Sequence, residues 1–204
     1  MKIGFNAPVT LILTFCALAA SALNVMSEGE TQRHFFSVYG PLALEDPFSL
    51  LRLIAYPLGH ASWAHFTGNF SIILLVSPLV ERTYGSVRLA VMILVTTLVT
   101  GIVHAVFFPS ALMGASGIAF MMILLGSLAN SRRGSIPLTF VLVCLFYLGN
   151  ELMAIFRDDN ISQLAHLLGA CCGSLFGFMG QHHGRGEAHR SAAQHSGKGR
   201  GSAS

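Results

Sequence analysis

The sequence predicts an all-α membrane protein built from six transmembrane helices. Only 10% of the 204 residues are charged while 53% are hydrophobic, and the mean hydropathy is +0.64. An ordinary soluble domain of this size does not reach these values. Six apolar runs are long enough to cross a hydrocarbon core that requires about 20 residues per helix. They lie at about 7–26, 62–80, 87–108, 115–130, 135–156 and 161–180.

The first apolar run allows two interpretations. Lys2 precedes it and small residues occupy positions 19–22, a pattern that also occurs in cleaved signal peptides. Its apolar length of about 20 residues favours a retained span. Both interpretations leave the later spans with the same orientation.

The basic residues predict that both termini are cytoplasmic. Lys and Arg accumulate on the cytoplasmic side of a membrane protein. With the N-terminus inside, only Arg33, Arg52 and Arg157 fall on the opposite side. The cytoplasmic side then holds Lys2, Arg82, Arg88, Arg132, Arg133, Arg185, Arg190, Lys198 and Arg200.

The chain outside the spans divides into an external segment and a tail. Residues 1–180 form one membrane domain, in which residues 27–61 mix Pro41, Pro47 and Pro57 with apolar side chains. This mixture indicates a loop that packs against the membrane surface. Residues 181–204 contain almost nothing apolar, which predicts a disordered, basic cytoplasmic tail in weak contact with lipid headgroups.

Composition gives no indication of a cofactor, a structural metal or a nucleic acid partner. The four cysteines lie within apolar spans, where they act as small hydrophobic residues, and neither a disulfide framework nor zinc spacing is present. The tail histidines can bind metal adventitiously, although a solvated tail is the simpler interpretation. They are His182, His183, His189 and His195.

Polar side chains within the spans are candidates for function because their burial in a bilayer is costly. Three of them lie at one depth: Ser116 is 16 positions before Arg132, His65 is 16 before Glu81, and His166 is 15 before Gln181. At 1.5 Å per residue, each lies about 22–24 Å above the inner boundary. The sequence therefore predicts a polar pocket that opens outward. The full set is His65, Asn69, Glu81, His104, Ser116, Asn150, Glu151 and His166.

Histidine spacing in the second span argues against a metal site. His65 and Asn69 are four residues apart and share a helix face. His60 lies five residues before His65, a spacing that turns it away by about 140° on a helix. With Ser62 as the N-cap, His60 belongs to the preceding loop.

The segment around Ser116 has the features of a nucleophile site. Gly114 permits a tight approach before a helix, and Gly117 leaves the hydroxyl accessible at a helix N-terminus. Free N–H groups there, including that of Ser116, favour a developing negative charge. The alternative is that these glycines serve only helix packing, which is common in membranes.

His166 is the candidate base for Ser116, because the imidazole pKa suits proton transfer near neutrality. Gly169, Gly173 and Gly177 follow it at four-residue intervals and form a small-residue ridge that permits close helix contact. If the fourth span is the neighbour, His166 and Ser116 come within reach of each other. Alternatively, His166 is a buried histidine bonded to a backbone carbonyl.

These motifs together resemble the rhomboid intramembrane serine proteases, specifically the bacterial six-span form. The matching stretches are HASWAHFTGN at 60–69, with its first residue at His60, ERTYGS at 81–86, GASG at 114–117 and AHLLGACCG at 165–173. The resemblance covers about residues 45–180. It implies a rhomboid-like bundle in a bacterial inner membrane, with an active site that opens to the periplasmic side.

The resemblance also implies roles for individual residues. Ser116 corresponds to the nucleophile and His166 to the general base of a Ser/His dyad. His65 and Asn69 correspond to oxyanion-stabilising side chains, which act with backbone groups of Ala115 and Ser116. Further correspondences are His60 as a structural histidine, Arg52 as an arginine of the first external loop and Glu81 as an acid at the inner end of span two.

Three positions depart from the family pattern. Leu51 precedes Arg52 where the family usually has Trp, and Phe120 stands where relatives often have Tyr beside the catalytic histidine. His104 lies where some relatives have Gln near the hydrolytic water, so it either handles water or is a satisfied interfacial histidine. Asn150 and Glu151 have no assigned role beyond the outer water boundary.

The resemblance implies cleavage of transmembrane protein substrates near small or helix-destabilising residues, with a mobile fifth span. One rival is a catalytically silent rhomboid-like protein that binds membrane clients. A second is a small channel or transporter, which requires a polar path continuing inward. The oligomeric state and natural substrate do not follow from the sequence.

Overall fold

The computed structural model describes residues 4–43, 45–129, 135–149 and 163–180. These residues form a helical bundle, which confirms the predicted all-α membrane fold. The helices are α1 (Pro8–Met26), α2 (Glu30–Phe35), α3 (Phe48–Ala55, followed by a 3-10 turn at Tyr56–Leu58), α4 (Trp63–Tyr84), α5 (Ser86–Phe107), α6 (Ser116–Leu128), α7 (Leu138–Val143, followed by a π turn at Cys144–Leu148) and α8 (Gln163–Gly180).

Four helices in the described part of the chain, α1, α4, α5 and α8, are long and apolar enough to cross a membrane. The predicted fourth span at 115–130 is a shorter helix, since α6 has 13 residues and extends only about 20 Å. Residues 108–115 connect α5 to α6 as an irregular segment, and the last two of them are buried, so α6 starts inside the bundle. The predicted fifth span contains α7, and its remainder at 150–156 lies outside the described residues.

The core of the bundle is α6, which is apolar on every side. Met121, Met122, Leu124 and Leu125 are fully buried, and neighbouring helices cover all faces. A helix that is hydrophobic all round is expected at the centre of a bundle. The position of α6 therefore fixes the depth at which Ser116, its first residue, lies.

Helix α8 packs directly on α6 through its glycines. A Cβ placed on Gly169 would clash with the backbone of Gly117, and one on Gly173 would clash with the backbone of Met121. One on Gly177 would lie 2.5 Å from the Leu128 side chain. This confirms the predicted small-residue ridge and identifies the fourth span as its neighbour.

Glu81 joins α1 to the bundle. Its carboxylate accepts hydrogen bonds from the Val9 N–H at 2.9 Å, the Thr10 N–H at 3.1 Å and the Thr10 hydroxyl at 2.8 Å. These amides belong to the first turn of α1, where no intrahelical partner is available and negative charge is favourable. The contact packs the first apolar run against the inner end of α4.

The segment between α1 and α4 is folded. Arg52 on α3 donates to the His34 carbonyl at 2.8 Å and to the Asp46 carboxylate at 2.6 Å. Leu53 of α3 is buried, whereas Leu50 and Ile54 are exposed on the opposite face. Exposed apolar side chains on the outer face of this helix fit the predicted packing against a membrane surface.

We expect Gly169→Ala to lower the free energy of unfolding of the detergent-solubilised protein by about 1–3 kcal/mol, since the backbones of α6 and α8 must separate. Gly68→Ala on α4 is the matched control. A Cβ at Gly68 meets nothing within 4 Å, so this change is neutral or stabilising by up to about 1 kcal/mol. Equal unfolding temperatures for the two variants would contradict the close approach of α6 and α8.

Candidate active site

The segment that precedes Ser116 is held by hydrogen bonds from the segment between α1 and α4. The backbones of Val38 and Leu112 exchange two hydrogen bonds, at 2.9 and 2.8 Å. The Gly114 N–H donates to the Tyr56 carbonyl at 3.0 Å. An irregular buried backbone needs such partners, because its polar groups are not satisfied by a helix. The position of Ser116 is thereby fixed from outside its own helix.

His60 provides a further link to this segment. Its Nδ1–H donates to the Leu58 carbonyl at 3.3 Å, and its Nε2 accepts from the Ala115 N–H at 3.4 Å. Both bonds together require the neutral ring. Burial lowers the pKa of His60 to about 4, and the adjacent His65 acts in the same direction. His60 thus links the loop before α4 to the backbone immediately before Ser116.

The expectation that His60 turns away from His65 is wrong. The two rings are in edge contact, with centroids 5.1 Å apart. Helical geometry does not apply to His60, since it precedes the N-cap Ser62, whose hydroxyl accepts from the His65 N–H. The loop bends back over α4 and places the His60 ring against Phe66 and Phe70.

Gly114 brings His65 and Asn69 to the serine segment. Its φ of +106° suits glycine, and a Cβ there would lie 2.6 Å from His65 Cε1 and 3.5 Å from Asn69 Nδ2. Asn69 is 8% exposed, and its amide nitrogen has no hydrogen-bond partner among the described residues. A buried donor of this kind is available to an oxygen atom of a ligand.

His166 lies beside the start of α6. A Cβ on Gly117 would lie 3.1 Å from the carbonyl oxygen of Ala165, so the residues next to Ser116 and to His166 are in contact. The His166 ring stacks on Phe120, with a centroid distance of 4.2 Å and an interplanar angle of 7°. Phe120 is one helical turn after Ser116, on the same side of α6.

The N-terminus of α6 adds to the chemistry of this site. The N-cap residue Ala115 makes no capping hydrogen bond with its side chain, and the first bond of the helix runs from the Ala119 N–H to the Ala115 carbonyl. The N–H groups at such a helix start attract negative charge. The start of α6 at Ser116 is therefore suited to an anionic oxygen, and His65 and Asn69 lie beside Gly114, two residues before it.

The remaining predictions concern His104, a metal site and residues near the ends of the chain. His104 is buried, donates from Nε2 to the Ser110 carbonyl at 2.8 Å and stacks on Phe108. Its Nδ1 has no hydrogen-bond partner among the described residues, so the predicted satisfied histidine is satisfied at one ring nitrogen. In the described ranges, no group of three His, Cys, Asp or Glu side chains is arranged to hold a metal. Asn150, Glu151 and the tail histidines lie outside the described residues.

A row of threonines on α5 did not emerge from the sequence analysis. Thr96 and Thr100 are buried on the face that also carries His104, and the Thr100 hydroxyl lies 3.7 Å from a Cβ placed on Gly117. Tyr56 joins them, since its hydroxyl donates to the Thr97 carbonyl at 3.2 Å. The four-residue spacing of 96, 100 and 104 on an apolar helix is the signal that indicates this row.

Comparison with known proteins gives two matches. The sequence model of the family described as "Rhomboid domain" matches residues 47–183. The chain is also similar to the protein named Rhomboid protease GlpG from Haemophilus influenzae, with 25% identity over 175 residues, which is 84% of this chain and 90% of that protein.

We expect the folded protein to lose stability in acid through His60. In the unfolded chain this ring takes up a proton below its usual pKa of 6.5, whereas in the fold it stays neutral down to about pH 4. The unfolded state therefore binds more protons in this window, and stability, complete above pH 6.5, falls by up to about 3 kcal/mol as the pH drops to 4.

Thermal unfolding in detergent at pH 7.5, 6 and 5 measures this effect. His60→Gln removes the titrating group, so its unfolding temperature starts lower and depends less on pH. An equally steep loss in wild type and variant would assign the acid sensitivity to other groups.

Proposed function

The chain belongs to the rhomboid family, and from this premise we propose that it is an intramembrane serine protease that cleaves transmembrane segments of other membrane proteins. Ser116 is the nucleophile and His166 is the general base. Peptide hydrolysis by this pair requires no cofactor. The observation that carries the proposal is the contact between α6 and α8, which brings together the residues adjacent to Ser116 and His166.

In this mechanism, His166 accepts the proton of the Ser116 hydroxyl while the oxygen attacks a substrate carbonyl. The resulting tetrahedral intermediate collapses when His166 returns the proton to the leaving amine. An acyl-enzyme remains on Ser116, and a water molecule that His166 deprotonates hydrolyses it. Stacking of the His166 ring on Phe120 supports this role, because a general base must hold one orientation during both proton transfers.

The oxyanion of the intermediate is stabilised by the Ser116 N–H, the Asn69 amide and the His65 ring. Support comes from the position of His65 and Asn69 against Gly114 and from the unpartnered Asn69 amide nitrogen. The Ala115 N–H already donates to His60, so the contribution of Ala115 is chiefly to hold the Ser116 N–H in place.

The protein is a multi-pass membrane protein, and we propose a bacterial inner membrane with cytoplasmic termini and a site that opens to the periplasm. Substrates carry small or helix-destabilising residues near the cut. A channel is the less suitable alternative, since the part of α6 below Ser116 is buried among apolar residues. A silent client-binding protein would share the fold but would not react at Ser116.

Replacement of Ser116 by Ala is expected to abolish cleavage of a transmembrane substrate and labelling by a fluorophosphonate probe, because the attacking oxygen is lost. Purified protein in detergent serves for both measurements, and the unfolding temperature stays near that of wild type. Ser127→Ala on the same helix is the matched control and retains labelling. Labelling of the Ser116→Ala protein would exclude this nucleophile, and an unreactive wild type would favour the client-binding alternative.

Asn69→Ala is expected to lower kcat by about 10²- to 10³-fold, because one oxyanion donor is lost. The control is Ser71→Ala, which lies two residues away on the exposed side of α4, where its hydroxyl donates to the Thr67 carbonyl at 2.6 Å. The kinetics of a fluorogenic transmembrane substrate measure both variants. Wild-type kcat in Asn69→Ala would remove Asn69 from the oxyanion site.

A further inference from the structure

Three aromatic side chains from three helices form a continuous contact, which we call the aromatic row: Tyr147, Phe120 and His166. Tyr147 meets Phe120 edge to face, with centroids 6.0 Å apart and an interplanar angle of 80°. Phe120 in turn stacks on His166 at 4.2 Å. Both arrangements, edge to face for Tyr147 with Phe120 and stacked for Phe120 with His166, are favourable for aromatic pairs.

The inward face of α7 determines which residue joins this row. Phe140, Val143 and Cys144 pack on the cluster that contains Phe120, Leu124 and Ala170. Tyr147 lies in the π turn that follows α7, and its ring reaches the same cluster through its contact with Phe120. Its neighbour Phe146 is 72% exposed and points away from the bundle. Adjacent aromatic residues on α7 thus have different environments.

Helix α7 and the π turn that follows it pack loosely on the bundle. From Leu138 to Tyr147, none of the residues is fully buried, and elements with few buried apolar contacts are the ones that move most readily. In contrast, Phe120 is 8% exposed and sits in the rigid core helix. The contact of Tyr147 with Phe120 therefore joins the loosely packed α7 region to the buried helix α6.

We propose that Tyr147 is a positioning residue. By packing against the Phe120 ring, it keeps the His166 imidazole in the orientation needed for proton transfer. The inference rests on the proposed function of His166 as general base. Tyr147 touches neither substrate nor Ser116 in this role; it acts through Phe120 alone. The position of α7 consequently affects the base as well as access to the bundle.

The physical reason is rotational freedom. Phe120 packs on His166, on Tyr147 and on side chains of α7. Loss of the Tyr147 ring removes one of these contacts, so the Phe120 ring gains freedom to tilt about its side-chain torsions, and the parallel stack with His166 tilts with it. A general base transfers protons efficiently only within a narrow range of orientation, and small displacements of catalytic groups lower rates by up to about 100-fold. Loss of the Tyr147 ring alters the base without removing any group from the reaction.

The test compares Tyr147→Leu with its matched control Phe146→Leu, and with Tyr147→Phe, in the full-length protein. Tyr147→Leu keeps apolar bulk on α7 and removes the aromatic edge, so kcat falls by about 5- to 30-fold while KM changes less than 2-fold. Tyr147→Phe restores the ring and at least half of kcat, and Phe146→Leu matches wild type. Unchanged kcat in Tyr147→Leu overturns the proposal. A rise in kcat/KM also overturns it, because that result is expected if the Tyr147 ring only obstructs substrate entry.

A second measurement does not depend on proteolysis. In protein with Ser116→Ala and labelled histidine, the Phe120 ring current shifts the His166 ring protons upfield, and His166→Gln identifies the signal. Tyr147→Leu reduces this shift and broadens the signal, whereas Phe146→Leu leaves it unchanged. An unaltered signal in Tyr147→Leu overturns the positioning role. Failure of the proposed protease function itself appears separately, as a wild type that does not cleave.

Discussion

The backbone contact between α6 and α8 is the constraint on which the site depends. Lipid gives apolar helices little reason to associate, so close approach through small residues is what joins them. Gly117 and Gly169 provide that approach without side chains between the backbones. Ser116 precedes one contacting residue, Gly117, and His166 follows another, Ala165. A side chain at either glycine would push the two helices apart, and Ser116 and His166 would move apart with them.

The second constraint comes from the segment between α1 and α4. A short helix that begins inside the bundle requires an irregular connection at membrane depth, and such backbone is tolerated only where protein satisfies its polar groups. Val38, Tyr56 and His60 supply those partners to residues 112–115. The packed arrangement of this segment thus follows from the short length of α6, because a helix of full length would need no such support.

Much of this arrangement follows from the sequence. Depth counting placed Ser116, His65 and His166 at one level, and the contacts of Gly114 and Gly117 bring their surroundings together. Apolar run length, however, does not distinguish a full span from a short central helix, because both are equally hydrophobic. Helical periodicity does not predict the direction of a loop, which is why His60 was expected to lie away from His65. Tyr147 could not be singled out from Phe146, since only packing against Phe120 distinguishes them.

Buried polar atoms in the described part of the bundle fall into two kinds. One kind is bonded within the fold: Glu81 holds α1, His104 holds the end of α5, and Tyr56 reaches Thr97. The other kind includes Asn69 Nδ2 and Thr100 Oγ1, which have no hydrogen-bond partner among the described residues and lie beside Gly114 and Gly117 respectively. An unsatisfied buried polar atom costs about 1–3 kcal/mol, and Ser21 Oγ, Gln32 Oε1 and His104 Nδ1 are unpartnered among the described residues as well. Under the proposed function, the cost at Asn69 is offset when its amide nitrogen donates to an oxygen atom of the substrate.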